Sequence, residues 1–403
     1  MRIDLSRATA QVPLRHAEAY ATFVFVVGLV GCGRGAQTVD PDMAARIANI
    51  KAIDNHAHPV RPGDPVDHDY DALPVEMLEA QTDAVRLRRT GKAGPKLSPA
   101  EALDRAGIER MIGNRVSPMP GERFSWVAYA DALMYPFAVE PGNPDRKAFF
   151  DLESKLLARY RQESGVAASL DEYLERVVLG TVRRHKQAGA LGEKFEMAYL
   201  RSLEIGNPGR DEAQAAWRKG VASRALQDYL FHAIAAECGR LGMVVQFHTG
   251  SGGGGYFEVR GSNPLLLEGV FNDPALRKTN FVMLHGGWPF TRELTPLLQK
   301  PNVYVDFSAQ QFLAAPSDLA RTLRAWLEFA PEKVLFGTDA YPYLPDAGMG
   351  WEDLALMGAR AGREALGIAL TEMVREGSVS RERAGELAEM VLRENARKLY
   401  GLT

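Results

Sequence analysis

The sequence predicts an α/β chain whose parallel sheet closes into a TIM (β/α)8 barrel with long βα insertions. Three observations predict it: eight short apolar runs suited to buried strands, helix-period segments between the later runs, and polar residues ending several runs where such a barrel opens its mouth. The runs are residues 52–55, 110–114, 126–131, 189–195, 243–248, 281–285, 303–308 and 334–338. Near-continuous apolar character is expected of strands covered by helices on one face and by the barrel interior on the other. The clearest helical segments are 223–241, 288–300 with Pro289 near its start, and 316–330. An amphipathic tail helix over 380–400 is expected to pack on the outside of the barrel.

Two stretches exceed what simple connections need. Residues 59–95 follow the first strand, and residues 139–189 carry two helices between the third and fourth. Long excursions on this face form lids or substrate walls, or serve as contacts in a homo-oligomer. No internal repeat or interdomain linker is visible, so residues 39–403 are expected to be one domain, preceded by a signal-like or disordered segment over 1–38.

Composition narrows the function classes. The 403 residues are 46% hydrophobic and 25% charged with a formal net charge of -3, ordinary for a globular chain with a large core. No long basic run or basic-aromatic interleaving suggests nucleic acid, so a small-molecule substrate is expected. Cys32 and Cys238 supply neither a disulfide framework nor a CxxC pair, and Cys238 reads as a buried helix residue. Leu29-Val30-Gly31-Cys32 follows an apolar run too short for a membrane span and resembles a bacterial lipobox, with Arg2, Arg7 and Arg15 ahead of it. Asp4 and Glu18 weaken that pattern. Two localisations stay open: a cell-envelope lipoprotein anchored through lipidated Cys32, or a cytoplasmic protein starting near Met43.

The chemistry lies in residues that end apolar runs: His56 and His58 in IDNHAH, His248 in VVQFHTG, His285 in FVMLHGG and Asp339 in VLFGTDA. Four of the eight histidines are among them. On a strand, side chains at i and i+2 share a face, so His56 and His58 can converge on one ion. Any one of these histidines alone reads as a hydrogen-bonded strand end, and Asp339 alone as a helix N-cap. Together they point to a metal-dependent enzyme. Zinc suits the ligands best, with manganese, iron and nickel as the other candidates. Glycines at 250–255 allow close backbone approach or loop movement, but no Gly-Lys-Ser/Thr follows and the loop is not a P-loop. Arg260, Trp288, Arg292 and Tyr341 lie near strand ends and singly read as surface or packing residues, while His16, His68, His185 and His232 have no such placement.

Five segments in order, IDNHAHP, FVMLHGGWPF, NVYVDFSAQ, VLFGTDAYP and ENARKLYGL, resemble the amidohydrolase superfamily. More narrowly they are similar to its amidohydrolase-related branch, which includes metal-dependent decarboxylases and the amidohydrolase-like domain joined to glutamine synthetase-like domains. The resemblance spans roughly residues 47–402. It implies that His56, His58, His248 and Asp339 surround the metal and that His285 faces the substrate or a second ion. Lys194, ending the fourth strand, stands where two-metal members carry a carboxylated lysine. A single metal with an uncarboxylated Lys194 is the expectation. Tyr199 and Arg201 resemble the tyrosine-arginine pattern of the glutamine synthetase-linked branch, with the arginine displaced by one, and are expected to bind substrate.

The expected activity is metal-dependent hydrolysis of a small carbonyl substrate, an amide, lactone or related C–N or C–O bond, with Asp339 and His285 as catalytic residues. Two other readings stay open: a metal-dependent nonoxidative decarboxylase or other lyase, and a non-catalytic ligand-binding barrel.

Overall fold

Alternation of side chains along each strand sorts the barrel into an inner and an outer layer. The computed structural model describes residues 38–61, 94, 96–253, 256–342 and 349–403. All eight expected strands are present: β1 (Ala52–Ala57), β2 (Ile108–Asn114), β3 (Phe124–Tyr129), β4 (Gly192–Phe195), β5 (Val244–His248), β6 (Asn280–Leu284), β7 (Val303–Asp306) and β8 (Val334–Leu335). They pair in parallel and in chain order, as a TIM barrel requires. Along β5, Val244 joins the inner cluster with Ile53, Ile112, Val127, Val282 and Leu335, whereas Val245 and Phe247 join the core shared with the helices. Phe247 stacks on Phe195 with ring centroids 5.6 Å apart, and Phe231 of the Arg224–Leu241 helix closes on both.

Closure between β8 and β1 is carried by backbone hydrogen bonds. Asn55 N donates to Phe336 O (2.9 Å), Asp339 N to His56 O (2.8 Å) and His58 N to Ala340 O (2.7 Å). The eighth strand is only two residues long because residues 336–340 leave the ladder with β7 and turn onto β1.

Helix punctuation follows local chemistry. Ser223 caps the Arg224–Leu241 helix by accepting from Leu226 N, and Gly242, at φ 64°, ends it. Cys238 is buried in that helix. The 139–189 excursion holds the Lys147–Ser164 helix and a second helical stretch over 170–187. The single helix expected over 288–300 does not form. Thr291–Leu294 makes one short turn and Thr295–Gln299 a 3-10 turn, because Pro296 brings no N–H to a continuing helix.

The tail departs from its expected place. Ser380 caps it and Arg381–Glu389 lies on the outside, but the last turn, Asn395–Tyr400, enters the inner cluster through Ala396 and Tyr400. Inside, Tyr400 Oη donates to Asn55 Oδ1 (2.7 Å) and accepts from Gln246 Nε2 (2.9 Å). The tail thus plugs the end of the barrel opposite the strand C-termini.

The lipobox at Cys32, the whole 1–37 segment, His16, His68, most of the 59–95 excursion and Gly254–Gly255 lie outside the described residues. No helix among the described residues is long and apolar enough to cross a membrane.

Tyr400→Phe is expected to lower stability by about 1–3 kcal/mol, since it leaves buried polar atoms of Asn55 and Gln246 short of a partner. Urea unfolding measures this, and an unchanged midpoint would mean that the tail does not plug the barrel.

Candidate metal centre

The β8–β1 seam determines where the polar residues meet. By strict alternation Asn55 and His56 would face opposite sides of β1, yet both find partners in the interior: Asn55 Nδ2 donates to Asp306 Oδ2 (2.6 Å) and His56 Nε2 lies 3.0 Å from Asp339 Oδ1. The irregular register of β1 on β2 between Asp54 and Ala57 permits this. Asp54 fixes the seam, accepting from Thr338 N (2.9 Å), Thr338 Oγ1 (2.5 Å) and His56 N (3.2 Å). Burial pushes its carboxyl up to about 7.

His56, His58 and Asp339 offer three ligand atoms within 4.8 Å of one another. His58 Nε2 lies 3.3 Å from Asp339 Oδ1, and His58 Nδ1 lies 3.1 Å from Tyr129 Oη, which orients the ring. Neither nitrogen of His56 completes a hydrogen bond with a described residue, although Nε2 is close to Asp339. Burial, reinforced by the charge of Lys194, holds the His56 imidazole neutral. Burial would raise Asp339, but the His285 imidazole and the contacts of His56 and His58 hold it well below the ordinary carboxylate range. Neutral imidazoles beside an anionic carboxylate are the donor set a divalent cation takes, so the residues fit a metal ion. The Asp339 side chain keeps 13% exposure, which leaves the trio an opening to the mouth.

His248 and His285 continue the site. Their rings stand 4.6 Å apart, with His285 Nε2 at 3.2 Å from His248 Nδ1, and His285 Nδ1 lies 3.9 Å from Asp339 Oδ2. The sequence-predicted set is therefore brought together, with His248 linked to the trio through His285. Burial and the neighbouring His285 lower His248 well below its usual value, and burial takes His285 to about 4, so both rings are neutral near pH 7. His285 and Asp339 adopt positive φ, 62° and 56°, a conformation that costs a non-glycine residue about 1 kcal/mol or more. After His285, Gly286 is obligatory: a Cβ there would strike Trp326 and Gln310. Gly250, at φ 80°, likewise lets the loop after β5 press on the Trp288 backbone.

Several residues without a sequence-assigned role hold this arrangement. Asp306 Oδ1 accepts from His285 N (2.8 Å), Ser308 N (3.1 Å) and Ser308 Oγ (2.7 Å). Ser308 Oγ, which donates to Asp306, lies 2.9 Å from His285 Nδ1, while His285 Nε2 faces His248 Nδ1 and His248 Nε2 lies 3.2 Å from the Ser251 carbonyl oxygen. Burial pushes Asp306 up to about 7. Lys194 points into the barrel and its Nζ lies 2.5 Å from Oε1 of Glu196, both fully buried. Asp131 Oδ2 accepts from Glu196 N (2.6 Å), and burial raises the carboxyls of Asp131, to about 8, and Glu153. The sequence signal for Asp306 was an acidic residue inside an apolar strand run, NVYVDFSAQ; for Glu153, inside a helix, no signal existed.

Tyr199 stands over His248 at 4.6 Å between ring centroids, with Phe257 5.0 Å and Phe149 6.0 Å from it. The Lys147–Ser164 helix therefore helps wall the site through Phe149. Arg201, by contrast, is turned to Asp228, with Nη2 2.5 Å from Oδ1. Arg260 and Arg292 are exposed, Trp288 and Tyr341 partly buried. His185 pairs with Glu193 outside the barrel at 2.8 Å, and His232 bridges Asp273 (3.2 Å) and Gly206 O (2.9 Å), both structural.

The amidohydrolase family model matches residues 53–402. The chain belongs to the amidohydrolase family. Among solved structures it is similar to a Lactobacillus casei protein whose name assigns it to metal-dependent hydrolases, with a TM-score of 0.64 at 18% identity over 89% of this chain and 97% of that one. It is also similar to the uronate isomerase of Thermotoga maritima (TM-score 0.58, 14% identity, 90% and 98% covered) and the glucuronate isomerase of Caulobacter crescentus (0.57, 17%, 90% and 93%). At these identities the likeness carries the fold and not the reaction. No curated protein matches the chain. Amidohydrolases usually bind a divalent metal, and here the buried His56, His58 and Asp339 group could hold one.

Elemental analysis of the purified protein is expected to find about one divalent ion per chain. His56→Ala and His248→Ala should each weaken metal affinity, by roughly tenfold or more, with little change in folding because the barrel core is apolar. A folded wild-type chain that stays metal-free after incubation with zinc and manganese would remove the metal reading. Unchanged metal content in His248→Ala would take His248 out of the ligand set.

Proposed function

We propose that this amidohydrolase is a metal-dependent hydrolase of a small carbonyl substrate, cleaving an amide, lactone or related C–N or C–O bond. The observation that carries the reading is Asp339, anionic, in contact with both imidazoles of the HxH pair and open to the mouth. A divalent ion held by His56, His58, Asp339 and His248, with zinc the best match to these donors, would polarise the substrate carbonyl and lower the pKa of water. Asp339, beside it, takes the proton from the attacking water and passes it to the leaving group. His285 is neutral, its Nδ1 held by Ser308 and its Nε2 by His248 Nδ1, so the ring stands fixed beside Asp339 to position the substrate. Tyr199 and Phe257 form an aromatic wall over His248 that limits water access. The pairing of Lys194 with Glu196 supports an uncarboxylated ammonium and a single metal. As a second reading, nonoxidative decarboxylation uses the same ligands, with Asp339 or His285, 3.9 Å from it, handling the proton delivered to carbon.

Oxygen-labelled water separates the two. Hydrolysis is expected to place the label in the product, and His285→Asn to lower turnover by roughly 10²–10³-fold while metal stays bound. Release of carbon dioxide with an unlabelled organic product would replace the hydrolase reading by the lyase one. Loss of metal in His285→Asn would make His285 a ligand.

A further inference from the structure

A cavity of about 130 Å3 opens between the segments that follow β3 and β4. Arg146, Arg201 and Arg224 line it with Tyr135 and Gln227, and the one carboxylate on its wall, Glu140, is exposed. The guanidinium of Arg201 is more than nine-tenths buried: Nη2 meets Asp228, while Nε and Nη1 have no hydrogen-bond partner among the described residues. Arg146 pairs with Glu258 at 3.0 Å and donates to Tyr256 O (3.3 Å), and its Nε has no partner among the described residues. Arg224 donates to Glu204 O (2.6 Å) and forms no ion pair among the described residues. It is also the first residue of the Arg224–Leu241 helix, whose first turn holds no acidic residue. A cation there faces the positive end of the helix dipole, an unfavourable placement unless an anion joins it. Burial, and then the charge of Arg201, lowers the Arg224 pKa, with Asp228 acting in the opposite direction. The Tyr135 hydroxyl is buried without a partner among the described residues and kept protonated by burial, which adds a neutral donor.

Buried donors left without a partner disfavour the fold, and a ligand that accepts from them relieves that cost. We propose that this cavity is an anion subsite that takes a small carboxylate, held by the Arg201 fork and the Arg224 guanidinium with Tyr135 donating. Planar guanidinium suits a planar carboxylate through paired N–H donors. Only Leu200 separates Arg201 from Tyr199, which stands over His248, so the subsite adjoins the candidate metal centre along the chain. The proposal does not rest on the hydrolase reading, because binding is read without turnover.

The test uses the full-length, metal-loaded chain with succinate as probe and neutral succinamide as control, read by isothermal titration calorimetry. Arg224 is exposed, so Arg224→Gln spares the fold, and Arg201→Lys keeps a cation opposite Asp228. Saturable succinate binding is expected, absent for succinamide, weakened about tenfold or more in each variant, and retained in metal-depleted His56→Ala. No succinate binding by the wild type, binding that survives both arginine variants, or binding lost in folded His56→Ala would overturn it, the last by placing the anion on the metal. For any carboxylic acid that is turned over, a raised KM with unchanged kcat in Arg224→Gln identifies the anion as the substrate's own carboxylate. Succinate binding that persists in the presence of that acid at saturation identifies a separate ligand of the same subsite.

Discussion

The seam between β8 and β1 is the constraint on which the rest of the structure depends. The HxH pair and Asp339 are nearly three hundred residues apart in sequence and meet only because the barrel closes there. A two-residue eighth strand supplies little ladder, so the buried Asp54 carboxylate, gripping Thr338 by backbone and side chain and His56 by its N–H, does what regular pairing does elsewhere. The same closure forces Asp339 into positive φ. Strain of this kind persists only where the surrounding contacts over-determine it.

The centre is also defined by how charge is buried. Lys194 and Glu196 are taken wholly out of water, and Asp131 and Glu153 lie in their field. Isolated charges could not be placed there, and pairing with hydrogen bonding is the condition for keeping them. Lys194 in turn helps suppress protonation of His56 and His248, keeping imidazole lone pairs available to a cation. A barrel lined only by aliphatic residues would be more stable at that level and chemically inert.

A chain of polar contacts joins the two ends of the barrel. It runs from Tyr400 to Asn55, from Asn55 to Asp306, and from Asp306 to the backbone and, through Ser308, the ring of His285. Through it the terminal helix braces a histidine on the opposite face. The aromatic residues contributed by the long insertion, Phe149 beside Tyr199, supply the wall that the strands do not.

The sequence by itself determined the barrel and the identity of its polar centre. Apolar runs ending in histidine or aspartate follow directly from strand geometry, and the i, i+2 spacing of His56 and His58 has one productive reading on a strand. Asp306 stood in a legible strand, but its function as an acceptor for His285 depends on a loop 21 residues away in sequence. Glu153 was beyond reach because a charged residue in a helix reads as surface until the packing around it is known. The tail helix was legible as amphipathic, yet only tertiary packing sent its last turn inside, since periodicity gives which face is apolar and not what that face meets. Short-range geometry is written in spacing. Which side chains share one buried space is decided by closure of the barrel, because burial is a property of the whole chain.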